Sequence, residues 1–419
     1  MKIVEWVLIV ITSLYIFFVY LLSPITTSYD SRWSIHLGLS IIREHNIDLD
    51  EFKSIIGNDY YRVVTINRHI YSIFPIGVNL ISLPILIVID KYYLFNHIDL
   101  YNLLQTYDSY LLTSKIENVI SSFICALCSI LIYILVRKDI GRTKSFILVL
   151  IFAFGTSVWS IASRSLWSHG AEILMLLMAM LLLNIKSGKS KHFVILSSLP
   201  IGLSVLIRPT GIIFLLLLSL YIAYAYKKYF LRYLVLLMII ITSFIYFNFT
   251  TFHTIFPSYY NLDRIGLHQH FIEATLGNLI SPSRGLLIYS PIFIFSLLGI
   301  YFKIKLHKFY FFDFILVLIL IFYYLGTSAF PHWWGGDSFG PRLLSGLIPI
   351  LTYFLIPVLK FKFKHNWFTL LFVICLGMSV FIHYKGSNSF ACWQWNATPS
   401  RIDISTDRLW DWHDIQFLR

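Results

Sequence analysis

Residues 118–160 read NVISSFICALCSILIYILVRKDIGRTKSFILVLIFAFGTSVWS, two apolar runs joined by a short basic cluster. Each run, at 118–136 and 145–160, is close to the length of about 20 residues that a helix needs to cross a hydrocarbon core. The positive-inside rule places the basic cluster at 137–144 in the cytoplasm. The pattern therefore predicts a hairpin of two membrane-spanning helices with a cytoplasmic turn.

The same alternation continues along most of the chain. Of its 419 residues 58% are hydrophobic and 13% are charged, which is more apolar surface than a soluble core could hide. The other apolar runs lie at 3–22, 169–185, 193–207, 210–226, 233–250, 287–302, 310–329, 343–359 and 367–384. We expect an all-α polytopic membrane protein with about 11 crossings and a cytoplasmic N-terminus that is an uncleaved anchor.

The basic residues explain the net charge of +12 without a nucleic-acid partner, because they form short clusters between apolar runs. The clusters are Arg137, Lys138, Arg142 and Lys144; Lys186, Lys189 and Lys191; Lys227, Lys228 and Arg232; Lys303, Lys305 and Lys308; and Lys360, Lys362 and Lys364. We expect all five clusters in the cytoplasm. The loops 23–117 and 251–286 and the tail 385–419 are then external.

The first external loop contains two predicted interfacial elements. Ser34–Arg43 has the pattern of a short helix at the membrane surface. The apolar stretch Ile73–Ile89 is interrupted by Pro75 and Pro84, and a crossing there would reverse every later assignment. We interpret it as a re-entrant or interfacial element, so that residues 1–384 form one membrane domain.

Two other patterns do not by themselves indicate a functional site. Cys125 and Cys128 form a CxxC inside an apolar run with no second pair nearby, so we interpret them as small packing residues and predict no metal site there. Asn396-Ala-Thr398 is a glycosylation sequon by pattern alone. The tail around it, rich in tryptophan and charge, is predicted to fold back over the external face as a lid, with a disordered end as the alternative.

Candidate site residues collect in the external segments, where a charge near the membrane costs free energy unless it is paired or functional. Asp30 follows the first helix in TTSYDSRW, beside Arg32. The segment PHWWGGDSFGPRLL, residues 331–344, combines glycines with Trp334, Asp337 and Arg342. An internal Asp337–Arg342 pair within an aromatic belt is the alternative for this loop.

Two further arginines and one polar pair follow the same logic. Arg208, in LIRPTG, and Arg284, in SPSRG, lie at helix ends, where a guanidinium suits phosphate oxygens or anchors the helix. His169 and Glu172, in LWSHGAE, share one helix face at i, i+3, as site residues or as a satisfied pair in the bundle.

With Asp30, Arg208, WWGGDSFGPR and the RLWDW of the tail, the sequence resembles the GT-C superfamily of polyprenyl-phosphate-sugar-dependent glycosyltransferases. The likeness is nearest to the protein-mannosyltransferase-like and lipid A aminoarabinose-transferase-like branch. It implies a GT-C-like bundle and an essential aspartate in the first external loop, which by position is Asp30. A polyprenyl-phosphate sugar would be the co-substrate, and a glycan, lipid or protein the acceptor.

The sequence departs from the family pattern in three places. Asp30 has no second carboxylate beside it, which leaves metal dependence open, and we predict no metal cofactor. Phe74-Pro75-Ile76-Gly77 stands where some relatives have Lys-Pro-Pro, which removes one phosphate contact. The WWDYG signature of oligosaccharyltransferases is absent, which argues against en bloc transfer to asparagine.

The expected chemistry is hexosyl or pentosyl transfer at the outer surface. Asp30 would be the general base, and Arg208, Arg284 and Arg342 the phosphate partners. Arg32, His169, Glu172, Trp334 and Asp337 would form the sugar and acceptor site. A transporter or flippase is the main alternative, but it would need polar groups near mid-membrane and often inverted repeats. A structural membrane protein would leave Asp30 and the arginines without a shared purpose.

Overall fold

The computed structural model describes residues 3–27, 29–57, 59, 61–106, 110–184, 190–256, 258–260, 266–361 and 366–419. Its α-helices are α1 (Ile3–Leu22), α2 (Ser34–Arg43), α3 (Lys53–Ile56), α4 (Gly77–Phe95), α5 (Leu100–Thr106), α6 (Tyr110–Ile140), α7 (Arg142–Phe154), α8 (Ser168–Leu183), α9 (Ser190–Leu196), α10 (Ser198–Ile207), α11 (Gly211–Ala225), α12 (Lys227–Phe252), α13 (Phe271–Ile280), α14 (Leu286–Tyr289), α15 (Ile294–Lys305), α16 (Phe311–Ser328), α17 (Ile348–Phe354), α18 (Ile356–Lys360), α19 (Asn366–Asn388) and α20 (Phe390–Gln394). Strands β1 (Val63–Ile66) and β2 (His69–Ser72) pair antiparallel in the only sheet of these ranges.

The structure also contains short 3-10 and π-helical turns. The 3-10 turns are Asp50–Phe52, Ser258–Tyr260, Pro291–Phe293, Arg342–Leu347, Thr406–Trp410 and Gln416–Leu418, and Val158–Ala162 is a π-helical turn. Some predicted runs are therefore divided in the structure. The run 287–302 is broken before Pro291, which is the first residue of the next 3-10 turn. The run 343–359 changes helix type before Ile348, and Pro349 is the second residue of the helix that follows.

The all-α polytopic membrane class is confirmed. Within the described ranges seven helical segments are long and apolar enough to cross a membrane: Ile3–Leu22, Gly77–Phe95, Tyr110–Ile140, Lys227–Phe252, Phe311–Ser328, Arg342–Lys360 and Asn366–Asn388. Ser168–Leu183, His192–Ile207, Gly211–Ala225 and Phe271–Ile280 are shorter apolar helices. Much of their surface is exposed and apolar, as lipid-facing helices require. The count of about 11 crossings stays a prediction.

The first external loop lies at one end of an antiparallel helix pair. Ser13 Oγ donates to the Ala126 carbonyl at 2.7 Å, and Arg137 pairs with Glu5 near the start of α1. At the opposite end Ser31 donates to Glu117, so the segment between α1 and α6 begins and ends on the same side. Among the described residues of this segment, α4 is the only long apolar helix. A single membrane crossing by α4 would therefore place the two ends of the segment on opposite sides.

The proline argument for that segment needs a correction. Pro75 precedes α4, but Pro84 lies inside the helix and does not end it, so Gly77–Phe95 is continuous. The helix packs beside α2, whose bounds agree with the predicted interfacial helix, and Arg43 of α2 pairs with Asp90 at 2.9 Å. The interpretation of Ile73–Ile89 as interfacial stays a prediction, which the shared side of Ser31 and Glu117 supports.

The basic clusters meet at the other end of the bundle. Lys144 donates to the Leu359 carbonyl at 2.6 Å, and Lys360 lies 3.8 Å from Asp139. Lys303 pairs with Asp313 at the start of α16, where Phe311 packs against Tyr224. Lys186, Lys189, Lys362 and Lys364 lie outside the described residues, as does the side chain of Lys191. Assignment of this end to the cytoplasm stays a prediction.

The C-terminal tail folds back on the loop 331–341. Its Gln416 is fully buried and donates to the Ser338 carbonyl at 2.9 Å. Arg408 lies 4.4 Å above the ring of Trp395, which is 1% exposed. A small core of Trp333, Trp395, Ile402 and Leu409 joins loop and tail. This packing supports the interpretation of a folded tail over a disordered one.

Candidate active site

A small cleft lies at the end of the bundle opposite the basic clusters. It is lined by Asp30, Ser31, Ser34, Phe74, Pro75, Val78, Asn79, Leu166, Trp167, Ser168, His169, Ile207, Arg208, Tyr259, Arg342 and Leu343. These residues come mainly from the segment between α1 and α6, the start of α8, the end of α10 and the turn Arg342–Leu347. Four of the nine predicted site residues, Asp30, His169, Arg208 and Arg342, therefore meet in one place.

Asp30 is held in a turn between α1 and α2. Its neighbour Ser31 is buried and donates to Glu117, which fixes the turn against α6. The carboxylate itself is 21% exposed, and Arg342 Nη1 donates to its Oδ2 at 3.2 Å. Tyr61 donates its hydroxyl to Oδ1 at 3.3 Å. Burial raises the pKa of Tyr61 to about 12, so the phenol stays protonated at neutral pH and can remain a donor.

Arg342 enters the cleft from the end of the glycine loop. Gly335, Gly336 and Gly340 have φ values of 72°, 64° and 58°, which an L side chain rarely adopts. The guanidinium carbon of Arg342 lies 4.6 Å from the ring centroid of Trp167, in a cation–π contact. The loop glycines thus allow the tight turns that precede Arg342, and stacking and the Asp30 carboxylate hold its head group.

Arg208 is the buried cation of the cleft. It ends α10 in an extended conformation before Pro209, and it is 6% exposed. Its Nη1 lies 2.7 Å from His169 Nδ1 and 3.1 Å from Glu172 Oε2. Because a guanidinium only donates, we assign His169 Nδ1 as the acceptor, which leaves its proton on Nε2.

Glu172 is a positioning residue behind the cleft. It is fully buried and also accepts hydrogen bonds from Thr210 at 2.6 Å and from Tyr323 at 3.0 Å. An isolated carboxylate at this depth would be costly, so its pairing with Arg208 neutralises both charges. The predicted i, i+3 relation of His169 and Glu172 is realised, and both contact the same guanidinium.

The structure places Arg284 away from the cleft. Its Nε donates to the Trp334 carbonyl at 2.8 Å, and its other nitrogens donate to Ser283 and Gly336 carbonyls and to Gln416 and Asn396 side chains. Burial lowers the pKa of Arg284 to about 10, which still leaves it charged at neutral pH. These donors join the glycine loop to the tail, and none lines the cleft.

The remaining predicted residues also lie outside the lining of the cleft. Arg32 stacks on Trp33 and Tyr110, with its guanidinium carbon 5.1 and 5.3 Å from the two ring centroids. Trp334 donates to Asp403 of the tail at 2.8 Å. Asp337 pairs with Arg401 at 3.5 Å, so the alternative of an internal Asp337–Arg342 pair is wrong.

Sequence reasoning missed three aromatic residues of the site. Trp167 lies two positions before His169 of the predicted pair, whereas Tyr259 of the lining and Tyr61, which donates to Asp30, lie in long loops without a motif. Phe74 and Pro75 line the cleft, at the segment that differs from the Lys-Pro-Pro of some relatives. The position of Trp167 two residues before His169 was the one sequence signal that could have indicated it.

Two other patterns are explained by packing. Asn396 of the sequon is 2% exposed and accepts a hydrogen bond from Arg284. Among the residues that the structure describes, one group has metal-ligand spacing: Asp48, Asp50 and His69, with ligand atoms within 4.8 Å of one another. Asp50 already accepts from His69 and from the Ile70 amide, which ties β2 to the preceding loop.

Comparisons with known proteins identify the fold. No protein-family model matches the sequence, and no curated protein matches it either. Among solved structures, the archaeal oligosaccharyltransferase AglB from Archaeoglobus fulgidus, in complex with an inhibitory peptide and a dolichol-phosphate, aligns with a TM-score of 0.55 at 13% identity. This alignment covers 99% of the present chain and 60% of AglB.

A second structure of the Archaeoglobus fulgidus oligosaccharyltransferase, in the apo form, gives a TM-score of 0.56 at 13% identity. It covers 98% of this chain and 60% of that protein. The chain therefore spans about three fifths of the length of the structures that it matches. The chain shares the fold of the aligned part of this oligosaccharyltransferase.

Proposed function

We propose that the protein is a membrane glycosyltransferase that moves a sugar from a polyprenyl-phosphate donor to an acceptor hydroxyl at the outer membrane surface. One observation carries the proposal: a carboxylate, Asp30, and two arginines, Arg208 and Arg342, line a single cleft in a GT-C fold. The cleft lies opposite the basic end, so the positive-inside rule places it outside. There the sugar of a lipid-anchored donor would be presented.

In the proposed reaction the Asp30 carboxylate accepts the proton of the acceptor hydroxyl. A bond forms between the acceptor oxygen and the anomeric carbon, while the bond from that carbon to the phosphate oxygen breaks. The phosphate departs with the electron pair, and Arg208 and Arg342 stabilise its charge. One carboxylate and one displacement would invert the anomeric centre. His169 can offer its Nε2–H to the donor.

The donor class is proposed from two independent sources. The sequence resembles the protein-mannosyltransferase-like and aminoarabinose-transferase-like branch, whose donors are polyprenyl-phosphate sugars. AglB was determined with a dolichol-phosphate, which has the same lipid-phosphate chemistry. The proposed donor is therefore a hexose or pentose on a polyprenyl phosphate, and a glycan, lipid or protein is the acceptor.

The test is transfer in vesicles reconstituted with purified protein and a panel of polyprenyl-phosphate hexoses and pentoses, with cell-envelope extract as the acceptor. We expect Asp30→Asn to reduce transfer by a factor of about 100 to 10,000, the usual range for loss of a general base. Asp337→Asn is the matched control, because Asp337 is 46% exposed and pairs with Arg401 outside the cleft. Equal activity of the Asp30 variant and wild type would refute the proposal.

A further inference from the structure

Two stacked side chains of the cleft each keep one buried N–H group without a hydrogen-bond partner. They are the indole Nε1 of Trp167 and the guanidinium Nε of Arg342. Trp167 is only 6% exposed although it lines the cleft, and Arg342 lies over its ring. An unpaired buried donor costs about 1–3 kcal/mol, so unpaired donors on side chains that line a cleft are expected to be satisfied by its ligand.

The space beside Arg342 is also specific. A Cβ atom at Gly335 would lie 3.0 Å from Arg342 Nε, so a side chain at 335 would press on this nitrogen and displace the guanidinium. Glycine is favoured at position 335 for two reasons: its φ of 72°, and the close packing against Arg342. The indole of Trp167, on the other side, contacts the edge of the His169 ring at a centroid distance of 5.8 Å.

The two groups select a ligand atom by their chemistry. An indole N–H and a guanidinium N–H can donate but cannot accept, so their best partner is an oxygen that only accepts. A non-bridging phosphate oxygen meets this condition, whereas a sugar hydroxyl also needs an acceptor for its own proton. The other cation of the lining, Arg208, has Glu172 and His169 as partners, which leaves part of its fork for the same anion.

We propose that Trp167 is a donor-binding residue whose indole N–H holds a non-bridging oxygen of the lipid phosphate, next to Arg342 Nε–H. This inference rests on the proposed function, because it assumes a polyprenyl-phosphate donor. It assigns Trp167 a hydrogen bond to substrate in addition to its stacking under Arg342. A small rotation of the indole or of Arg342 brings the N–H to the ligand, since solvent does not reach the nitrogen in the present arrangement.

The test compares binding of a polyprenyl phosphate with binding of the polyprenol of the same chain length to the purified full-length protein. Trp167→Phe removes the N–H and keeps an aromatic ring under Arg342. We expect this variant to bind the polyprenyl phosphate about tenfold more weakly, the loss typical of a hydrogen bond to a charged group, and the polyprenol unchanged. Trp393→Phe is the matched control, because Trp393 Nε1 is also buried and unpartnered but lies in the tail.

The outcomes separate this inference from the proposed function. If wild-type protein prefers neither lipid, the proposed donor class fails. If wild type prefers the phosphate and Trp167→Phe binds it equally well, only the role of Trp167 is overturned. An unchanged affinity for polyprenyl phosphate with a raised KM for the sugar donor would also overturn it, because the contact would then be to the sugar.

A double variant guards against misinterpretation of a folding defect. Arg342→Lys keeps the charge but removes the Nε–H group. If both donors hold one oxygen, the losses of affinity in Trp167→Phe and Arg342→Lys should combine to less than their sum. Strictly additive losses, with unchanged thermal midpoints, would contradict a shared oxygen.

Discussion

Arg342 donates from Nη1 to the Asp30 carboxylate at 3.2 Å, although 312 positions separate the two residues in the chain. The side chains are 17% and 21% exposed, so water screens the pair only in part. In the proposed reaction a donor phosphate would replace the carboxylate as the partner of the guanidinium, which would leave Asp30 free to accept a proton. Under this proposal, the pair would link the position of the base to the arrival of the donor.

The first prediction concerns Arg342→Gln. This change removes the proposed cationic partner of the donor phosphate, and we expect kcat/KM for the donor to fall by a factor of about 10 to 100, as for loss of a charged hydrogen bond. Transfer kinetics in vesicles measure it. Arg401→Gln is the control, since Arg401 is 62% exposed and pairs with Asp337 outside the cleft. Equal losses in the two variants would argue against a specific role for Arg342.

The fold could be predicted from the sequence to a large extent because helices in a membrane must satisfy their own backbone groups. The length of the apolar run 3–22 therefore predicted α1 with the bounds that the structure shows. The alternation of apolar and polar residues predicted α2 in the same way. The sequence was less informative for Pro84, because a proline can remain inside a helix when the surrounding structure satisfies the freed carbonyl. The local sequence does not show which neighbouring groups surround Pro84.

The site could be predicted only in part, for a different physical reason. Helix-end position selected Arg208 and Arg284 alike, and both were expected to bind phosphate. They differ in their tertiary partners: Arg208 faces the cleft beside His169, whereas the donors of Arg284 reach loop and tail carbonyls and side chains. Those partners lie up to 132 positions away from Arg284 in the chain, and no local pattern contains them.

The second prediction tests Glu172 as a positioning residue. Glu172→Gln leaves the buried Arg208 without a counter-charge, and breaking such a pair destabilises a protein by about 3 kcal/mol or more. We expect a lower thermal midpoint in detergent and a higher KM for the donor, because Arg208 loses its fixed geometry. Glu273→Gln is the control, as Glu273 is 39% exposed. An unchanged midpoint together with an unchanged KM would contradict the role.

The third prediction separates Arg284 from the phosphate site. Arg284→Gln removes the bridge from the Trp334 and Gly336 carbonyls of the glycine loop to the Asn396 side chain of the tail, so we expect a lower thermal midpoint and faster proteolysis within 385–419. Binding of polyprenyl phosphate should fall only as the folded fraction falls. A variant with a stable, protease-resistant tail that has lost phosphate binding would restore the expected phosphate role of Arg284.

The fourth prediction concerns the side of the membrane on which the end of α4 lies. Asn96 follows α4 and is exposed, and all four native cysteines are buried, so a single Asn96→Cys change provides a selective label site. Because Ser31 and Glu117 bring both ends of the segment to the side of the cleft, we expect an impermeant thiol reagent to reach Asn96→Cys from outside the cell. Lys138→Cys, at the exposed basic end, is the control and should react only after the membrane is opened. Labelling of Asn96→Cys only in opened cells would make α4 a full crossing, and it would contradict the placement of both ends of the segment on the side of the cleft.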